Sequence, residues 1–414
     1  MIIGIKNLKV IRIKKCYIEM ILLGILIIIG ELYSSELALV ISLAYISYIC
    51  FIRHCIPIEF NNSIITIMII GLIVGVLELK SINRDYCRDL FKVISPICYL
   101  YYGYLLQTIF NEDYYCKTII YSALFVALRS FSLKMFALLS SGLSFSAIRS
   151  VGGNASPVII VAFTLLLFNK EIFSNSKKLR SIIMLFFCLS IFLYLSRTAI
   201  IMWLPSLMIY IYMNRKQRKI LKALFIITLI LIFMAVIMPT SLIYPLIEKF
   251  AKSFTEISHT DKKWAWAAVN NNWRGYEIYL ILKQFENVSL LRMLFGYGFG
   301  KLIDLDYEIQ LGDSLYTQIA IFHNGYYFIL LKSGYLGLVS YVFSLVADML
   351  YYIKLYLKKR DVNHDAIQMV LILAMATSCY VIAGIYNGAY LISICITYGF
   401  LGGRDSANNR IVWM

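Results

Sequence analysis

Residues 180–213 read RSIIMLFFCLSIFLYLSRTAIIMWLPSLMIYIYM. Two apolar runs, 180–195 and 198–213, stand on either side of a turn that holds Ser196 and Arg197. A helix rises about 1.5 Å per residue, so a run of about 17 to 24 apolar residues crosses a hydrocarbon core of about 30 Å. Helices also satisfy their own backbone polar groups in lipid, where no water can. The pair therefore reads as two membrane spans joined at one surface.

Working outward, similar runs recur at 16–31, 36–52, 63–79, 89–110, 117–139, 156–169, 219–239, 334–353, 366–385 and 388–402. Hydrophobic residues make up 61% of the 414-residue chain against 15% charged, more apolar surface than a soluble fold can bury. The expected fold is an all-α polytopic membrane protein with about 12 transmembrane helices and one long periplasmic loop containing short helices. Three regions follow: an N-terminal bundle of about nine spans at 1–239, the loop at 240–333, and about three spans at 334–414. The basic N-terminus has no small-residue cleavage site behind its apolar segment, and reads as the first span rather than a removable signal.

The formal net charge of +16 could suggest nucleic acid. The basic residues instead sit in short clusters between spans, where they set topology and leave the lipid bilayer, not nucleic acid, as the expected partner. With the N-terminus inside, Lys6 to Lys15, Lys170 to Arg180, Arg215 to Lys222 and Lys354 to Arg360 all fall in the cytoplasm. Both termini are then cytoplasmic and 240–333 is outside. Pro239 and Pro245 bracket the start of that loop, and Trp264, Trp266 and Trp273 suit a membrane interface. From Tyr276 on, Ile278, Ile281, Leu282 and Phe285 keep the spacing of an amphipathic helix, with Asn270, Asn271 and Asn272 as candidate caps.

Nine cysteines lack any C-x-x-C pair and mostly fall inside apolar runs, which argues against a disulfide framework or a cysteine zinc site. No repeat of 20–50 residues is visible, which weighs against an inverted-repeat transporter.

A few polar residues could carry chemistry. Arg197 lies on the side where positive charge is disfavoured. Either it grips a phosphate through two parallel hydrogen bonds, or it snorkels to lipid head groups. Arg274 opens the amphipathic helix, whose N-terminus already favours anions; the plain reading pairs it with Glu277. His323 precedes Asn324-Gly325, a turn signal, and a short apolar helix that ends near Ser333-Gly334. A neutral imidazole there could take a proton from a sugar hydroxyl, or be structural. His54 and His364 fall on the cytoplasmic side, and His259 has no organised setting. Arg149 begins a second polar outer loop. Glu31 and Glu36 stand in the first with nothing to pair them, and Arg129, Lys134 and Asp348 fall at membrane depth, where charge is costly. The run Gly296-Tyr297-Gly298-Phe299-Gly300 lacks a strand–turn–helix setting and reads as a tight turn packed on the spans. Asp304-Leu305-Asp306 has the D-x-D spacing of metal-dependent glycosyltransferases, a spacing that also arises by chance.

Ser196-Arg197-Thr198-Ala199, Trp273-Arg274-Gly275-Tyr276-Glu277, the glycine run and His323-Asn324, followed by Gly334 and Gly337, together resemble the O-antigen polymerase and ligase superfamily over roughly 145–345. The resemblance implies a GT-C-like membrane glycosyltransferase of the bacterial inner membrane, inverting, without metal or other cofactor. Its donor and acceptor would be undecaprenyl-pyrophosphate-linked glycans, and a chain-length regulator is an implied partner. Arg197 and Arg274 would hold the pyrophosphate and His323 would be the general base, with Asn324, Arg149 and Tyr276 as further substrate-binding candidates. Motif texture and the 32 tyrosines favour a polymerase. A ligase transferring the glycan to lipid A-core is the alternative, and a lipid-linked oligosaccharide flippase or a structural scaffold the lesser ones.

Overall fold

The computed structural model describes residues 3–53, 62–78, 83–107, 110–141, 148, 151, 157–194, 196–213, 264, 269, 272–311, 314–320, 322–359, 361–387 and 391–409. The helices are α1 (Ile3–Leu32), α2 (Ser35–Arg53), α3 (Asn62–Glu78), α4 (Arg84–Gln107), α5 (Glu112–Ser141), α6 (Pro157–Phe168), α7 (Lys177–Leu193) and α8 (Arg197–Met213). After them come α9 (Trp273–Gln284), α10 (Leu290–Phe295), α11 (Gly325–Leu357), α12 (Val362–Ile382) and α13 (Ile392–Asn409). Every expected span with described residues falls on one of these helices; 219–239 lies outside the described residues. Among the described residues, Glu112–Ser140, Gly325–Leu357 and Val362–Ile382 are long and apolar enough to cross a membrane, and five shorter apolar helices accompany them.

One element departs from an all-helical loop. Ile303–Leu311 (β1) and Ser314–Ile319 (β2) form an antiparallel hairpin, with Ile303 opposite Ile319. Isoleucine, tyrosine and leucine alternate there with Asp304, Asp306 and Glu308, the pattern of a ribbon with one covered face. Ile303 and Ile319 are buried while Asp304 and Asp306 are exposed.

Lipid tails are as apolar as leucine, so helices associate in a membrane by close packing and polar contacts rather than by apolar burial. The α4–α13 crossing shows how. A Cβ on Gly103 would stand 2.0 Å from the Ile396 carbonyl oxygen, and one on Gly399 2.0 Å from that of Leu100. Two glycines thus let the backbones touch. Beside them Tyr115 stacks on Phe400 with centroids 3.8 Å apart and hydrogen-bonds Thr397 at 2.9 Å.

The bundle has two distinct ends. At one, Phe168, Lys170, Met213, Tyr356, Val362 and Asn363 surround a single cavity, which gathers the C-terminal ends of α6, α8 and α11 with the start of α12. His364 on α12 contacts the Leu401 carbonyl of α13 at 3.2 Å, so that helix ends there too. Lys170 and Lys354, from two of the clusters expected in the cytoplasm, share this basic end. At the other end the Ala383 N–H, just past α12, donates to the His323 carbonyl at 2.7 Å. Because α8 lies alongside α12 with its C-terminus at the basic end, Arg197 at its N-terminus belongs to the same end as His323.

Candidate active site

Asn272, one of the expected caps, caps α9, its side chain accepting from the Gly275 N–H at 3.2 Å, so the helix begins at Trp273. Arg274 therefore sits in the first turn and Glu277 one turn further in. Glu277 is 2% exposed, and His323 satisfies it twice. The His323 backbone N–H donates to Oε2 at 3.0 Å, and the ring Nδ1 lies 2.9 Å from Oε1. Against a carboxylate in its ionised form, which only accepts, Nδ1 would carry the proton and Nε2 would keep its lone pair. The ring is 47% exposed, which leaves that lone pair accessible. Asn324 caps α11 by accepting from the N–H groups of Tyr326 and Tyr327, at 3.0 and 3.4 Å. A helix N-terminus, positive by its dipole, thus starts beside the imidazole.

Beneath this turn, the glycine run is a plug in the bundle. Gly296, Gly298 and Gly300 all have positive φ, at 71°, 74° and 88°. Their backbone hydrogen-bonds tie the run to the spans: Tyr297 and Gly298 donate to Leu331 and Lys332, and Phe299 donates to Gly71 at 2.9 Å. A Cβ at Gly298 would meet the Gly75 nitrogen at 2.1 Å, so only glycine permits this approach. Gly334, also at positive φ, kinks α11 where the end of α10 passes. Deeper still, Asp89 of α4 accepts from the Gly300 N–H at 2.9 Å and pairs with Lys332 of α11 at 2.7 Å, both side chains fully buried. The same lysine donates to the Lys301 carbonyl. A buried pair survives only when such extra bonds complete it.

Of the residues read from sequence, the structure joins His323 and Asn324 to the helix that carries Arg274 and Tyr276, and puts Arg197 at the same end of the bundle. Tyr276 is fully buried and its hydroxyl accepts from the Asp306 N–H at 3.0 Å, so it posts α9 against β1; burial pushes its ionisation up. Arg149 lies outside the described residues, as do His54 and His259. Glu277, expected as a partner of Arg274, is instead held by His323. Glu31 is not alone: it accepts from the Val158 N–H at 3.3 Å and the Ser393 hydroxyl at 3.4 Å. Glu36 accepts from Ser34 at 2.8 Å. Lys134 reaches the carbonyls of Ile148 and Val151, and Asp348 accepts from Tyr398. These contacts give such membrane-depth charges structural partners. In the D-x-D, Asp304 takes the Gln318 amide and Asp306 the Lys283 ammonium, whose hydrogen bond holds that lysine's ionisation above its ordinary range.

Residues 182–342 match the family model described as O-antigen ligase. That match is consistent with the O-antigen polymerase/ligase superfamily. The matched segment spans Arg197, Arg274, Glu277, His323 and Lys332, and it leaves Arg149 and Asp89 outside. The family's class is that of membrane glycosyltransferase-like polymerases and ligases, in keeping with the apolar helices. No curated protein matches the chain.

Sequence reasoning missed two partners in this candidate site. Glu277 stands between buried Tyr276 and Ile278, and an acid on the buried face of a helix was the available signal. Lys332 interrupts the apolar stretch Phe328–Leu331, and an ionisable residue there calls for a carboxylate partner, which Asp89 supplies.

Proposed function

We propose that the chain is an O-antigen polymerase working at the periplasmic face of the inner membrane. It would join undecaprenyl-pyrophosphate-linked repeat units and release undecaprenyl pyrophosphate. The reading is carried by one observation: an exposed imidazole fixed by a buried carboxylate, at the end of the bundle to which Arg197 belongs and against the helix that Arg274 opens. In the reaction, Nε2 of His323 takes the proton of the acceptor hydroxyl as the sugar oxygen forms its bond to the anomeric carbon. The bond from that carbon to the pyrophosphate oxygen breaks on the opposite face, inverting the centre. The leaving oxygen gains charge, and Arg197 and Arg274 offset it by charge-assisted hydrogen bonds. Glu277 stabilises the imidazolium that forms, and no metal is required for any of these steps.

The family description favours a second reading, ligation of the glycan to lipid A-core with the same donor and the same residues. Surface-glycan length in cells lacking the gene separates the two. A polymerase defect leaves a single repeat unit attached. A ligase defect removes all attachment.

A further inference from the structure

We propose that Lys92 of α4 is a further phosphate-binding cation of this site, taking the diphosphate of the polyprenyl-linked donor beside the first turns of α11. The identity of that ligand rests on the functional reading above. The position of the lysine does not, because α4 lies outside the matched segment 182–342.

The charges around the start of α4 do not cancel. Arg88 pairs with Asp85 at 2.6 Å and with Asp89 Oδ1 at 3.4 Å. Lys332 takes Asp89 Oδ2, which also accepts the Gly300 N–H. Both carboxylates are thus engaged by Arg88 and Lys332, which leaves Lys92 and, at the exposed first residue of α4, Arg84. Lys92 is partly buried and, among the described residues, makes neither a hydrogen bond nor an ion pair. Its ammonium lies 5.6 Å from the centroid of Phe328, and the Lys332 ammonium lies 5.9 Å from the same ring.

Phe328 is one turn into α11, its N–H donating to the Asn324 carbonyl at 3.0 Å. Lys92 therefore lies beside the first turns of α11, the helix that follows His323 and its neighbour Asn324. A ring face attracts a cation but gives it no hydrogen bond, and a partly desolvated ammonium keeps three donors to satisfy. A phosphate group reaching the ammonium would meet both needs. A phospholipid head group carries the same chemistry, and the long side chain could snorkel to one.

The test uses the full chain in nanodiscs of phosphatidylcholine, with undecaprenyl diphosphate titrated as probe, and compares wild type with Lys92→Met, Lys92→Gln and Lys92→Arg. Melting without ligand identifies folded variants, and Gln keeps a polar end should Met disturb packing. The neutral variants are expected to bind the diphosphate on the order of ten- to a hundredfold more weakly, as loss of a charge-assisted hydrogen bond implies, and Arg to restore most of the affinity. In turnover the loss should appear in KM for the lipid-linked donor rather than in kcat. Wild-type affinity in the folded neutral variants overturns the proposal. So does a Lys92 effect that appears only when phosphatidylglycerol is added, which assigns the lysine to lipid. Lys92-dependent binding by a protein that transfers no glycan sinks the functional reading but leaves this one standing, whereas no diphosphate binding by wild type sinks both.

Discussion

Replacing Glu277 by glutamine removes one negative charge and little volume, and the resulting loss can be worked from the geometry. As His323 accepts a proton, an imidazolium forms against a carboxylate whose oxygen is 2.9 Å from Nδ1. With charge centres about 4 Å apart and an effective dielectric of about 20, the full attraction is about 4 kcal/mol. The half-exposed ring and a transition state with the proton part-way across leave roughly half, or about 2 kcal/mol. That is about 30-fold in kcat. Glutamine can also turn its amide donor toward Nδ1, which would hold the proton on Nε2 and leave the base in the wrong tautomer. Loss of the correct tautomer costs up to about 10⁴ in a triad hydrolase, so the expected range is about 30-fold to 10⁴. The assay is single-turnover transfer by purified enzyme in proteoliposomes, normalised to folded protein, with KM for the donor expected to stay near wild type. A Glu277→Gln enzyme within about threefold of wild-type kcat would refute the role of this pair.

Alanine at Arg197 or at Arg274 should cost about 2–4 kcal/mol of barrier, or 10²–10³ in rate, with lysine recovering part; the same transfer assay reads it. Gly298→Ala combines a positive φ with a Cβ 2.1 Å from the Gly75 nitrogen, and should destabilise the fold by about 2–5 kcal/mol, seen as a lowered Tm in detergent. Cys87 is exposed in the first turn of α4, close to the Asp89–Gly300 contact. A membrane-impermeant maleimide added to spheroplasts should label it from the periplasm, and the Cys87→Ser variant should remove that label.

Much of the architecture was legible because a bilayer writes itself into composition. The places of the described helices followed from runs of apolar residues, but not their limits, since 16–31 and 334–353 lie inside the longer α1 and α11; Asn272 and Asn324 announced two helix starts through local capping chemistry. The glycine run gave its turn away because three positive-φ positions need glycine, but which surface it plugs depends on Gly71 and Gly75, more than 200 residues earlier. The hairpin was hidden because its alternation, Ile303-Asp304-Leu305-Asp306, invites a metal reading when the partner strand is unseen. Likewise His323 and Arg274 could be singled out by type and place, whereas Glu277 looked like a helix-surface partner for Arg274. Its true partner is 46 residues away and is set by tertiary packing. Asp89 and Lys332 belong to the same class: Asp89 reads as one charge in the run Arg84–Lys92, Lys332 as a lone charge after Phe328–Leu331, and only the tertiary fold makes them a pair.

Reconstitution of the purified chain with a defined undecaprenyl-pyrophosphate-linked repeat unit, followed by sizing of the glycan and detection of the released lipid, tests the site most directly. The expected result is a ladder of repeats with one undecaprenyl pyrophosphate freed per linkage, both abolished by His323→Ala. Wild-type ladders from folded His323→Ala protein, or residues 240–333 found on the cytosolic side of the membrane, would contradict it.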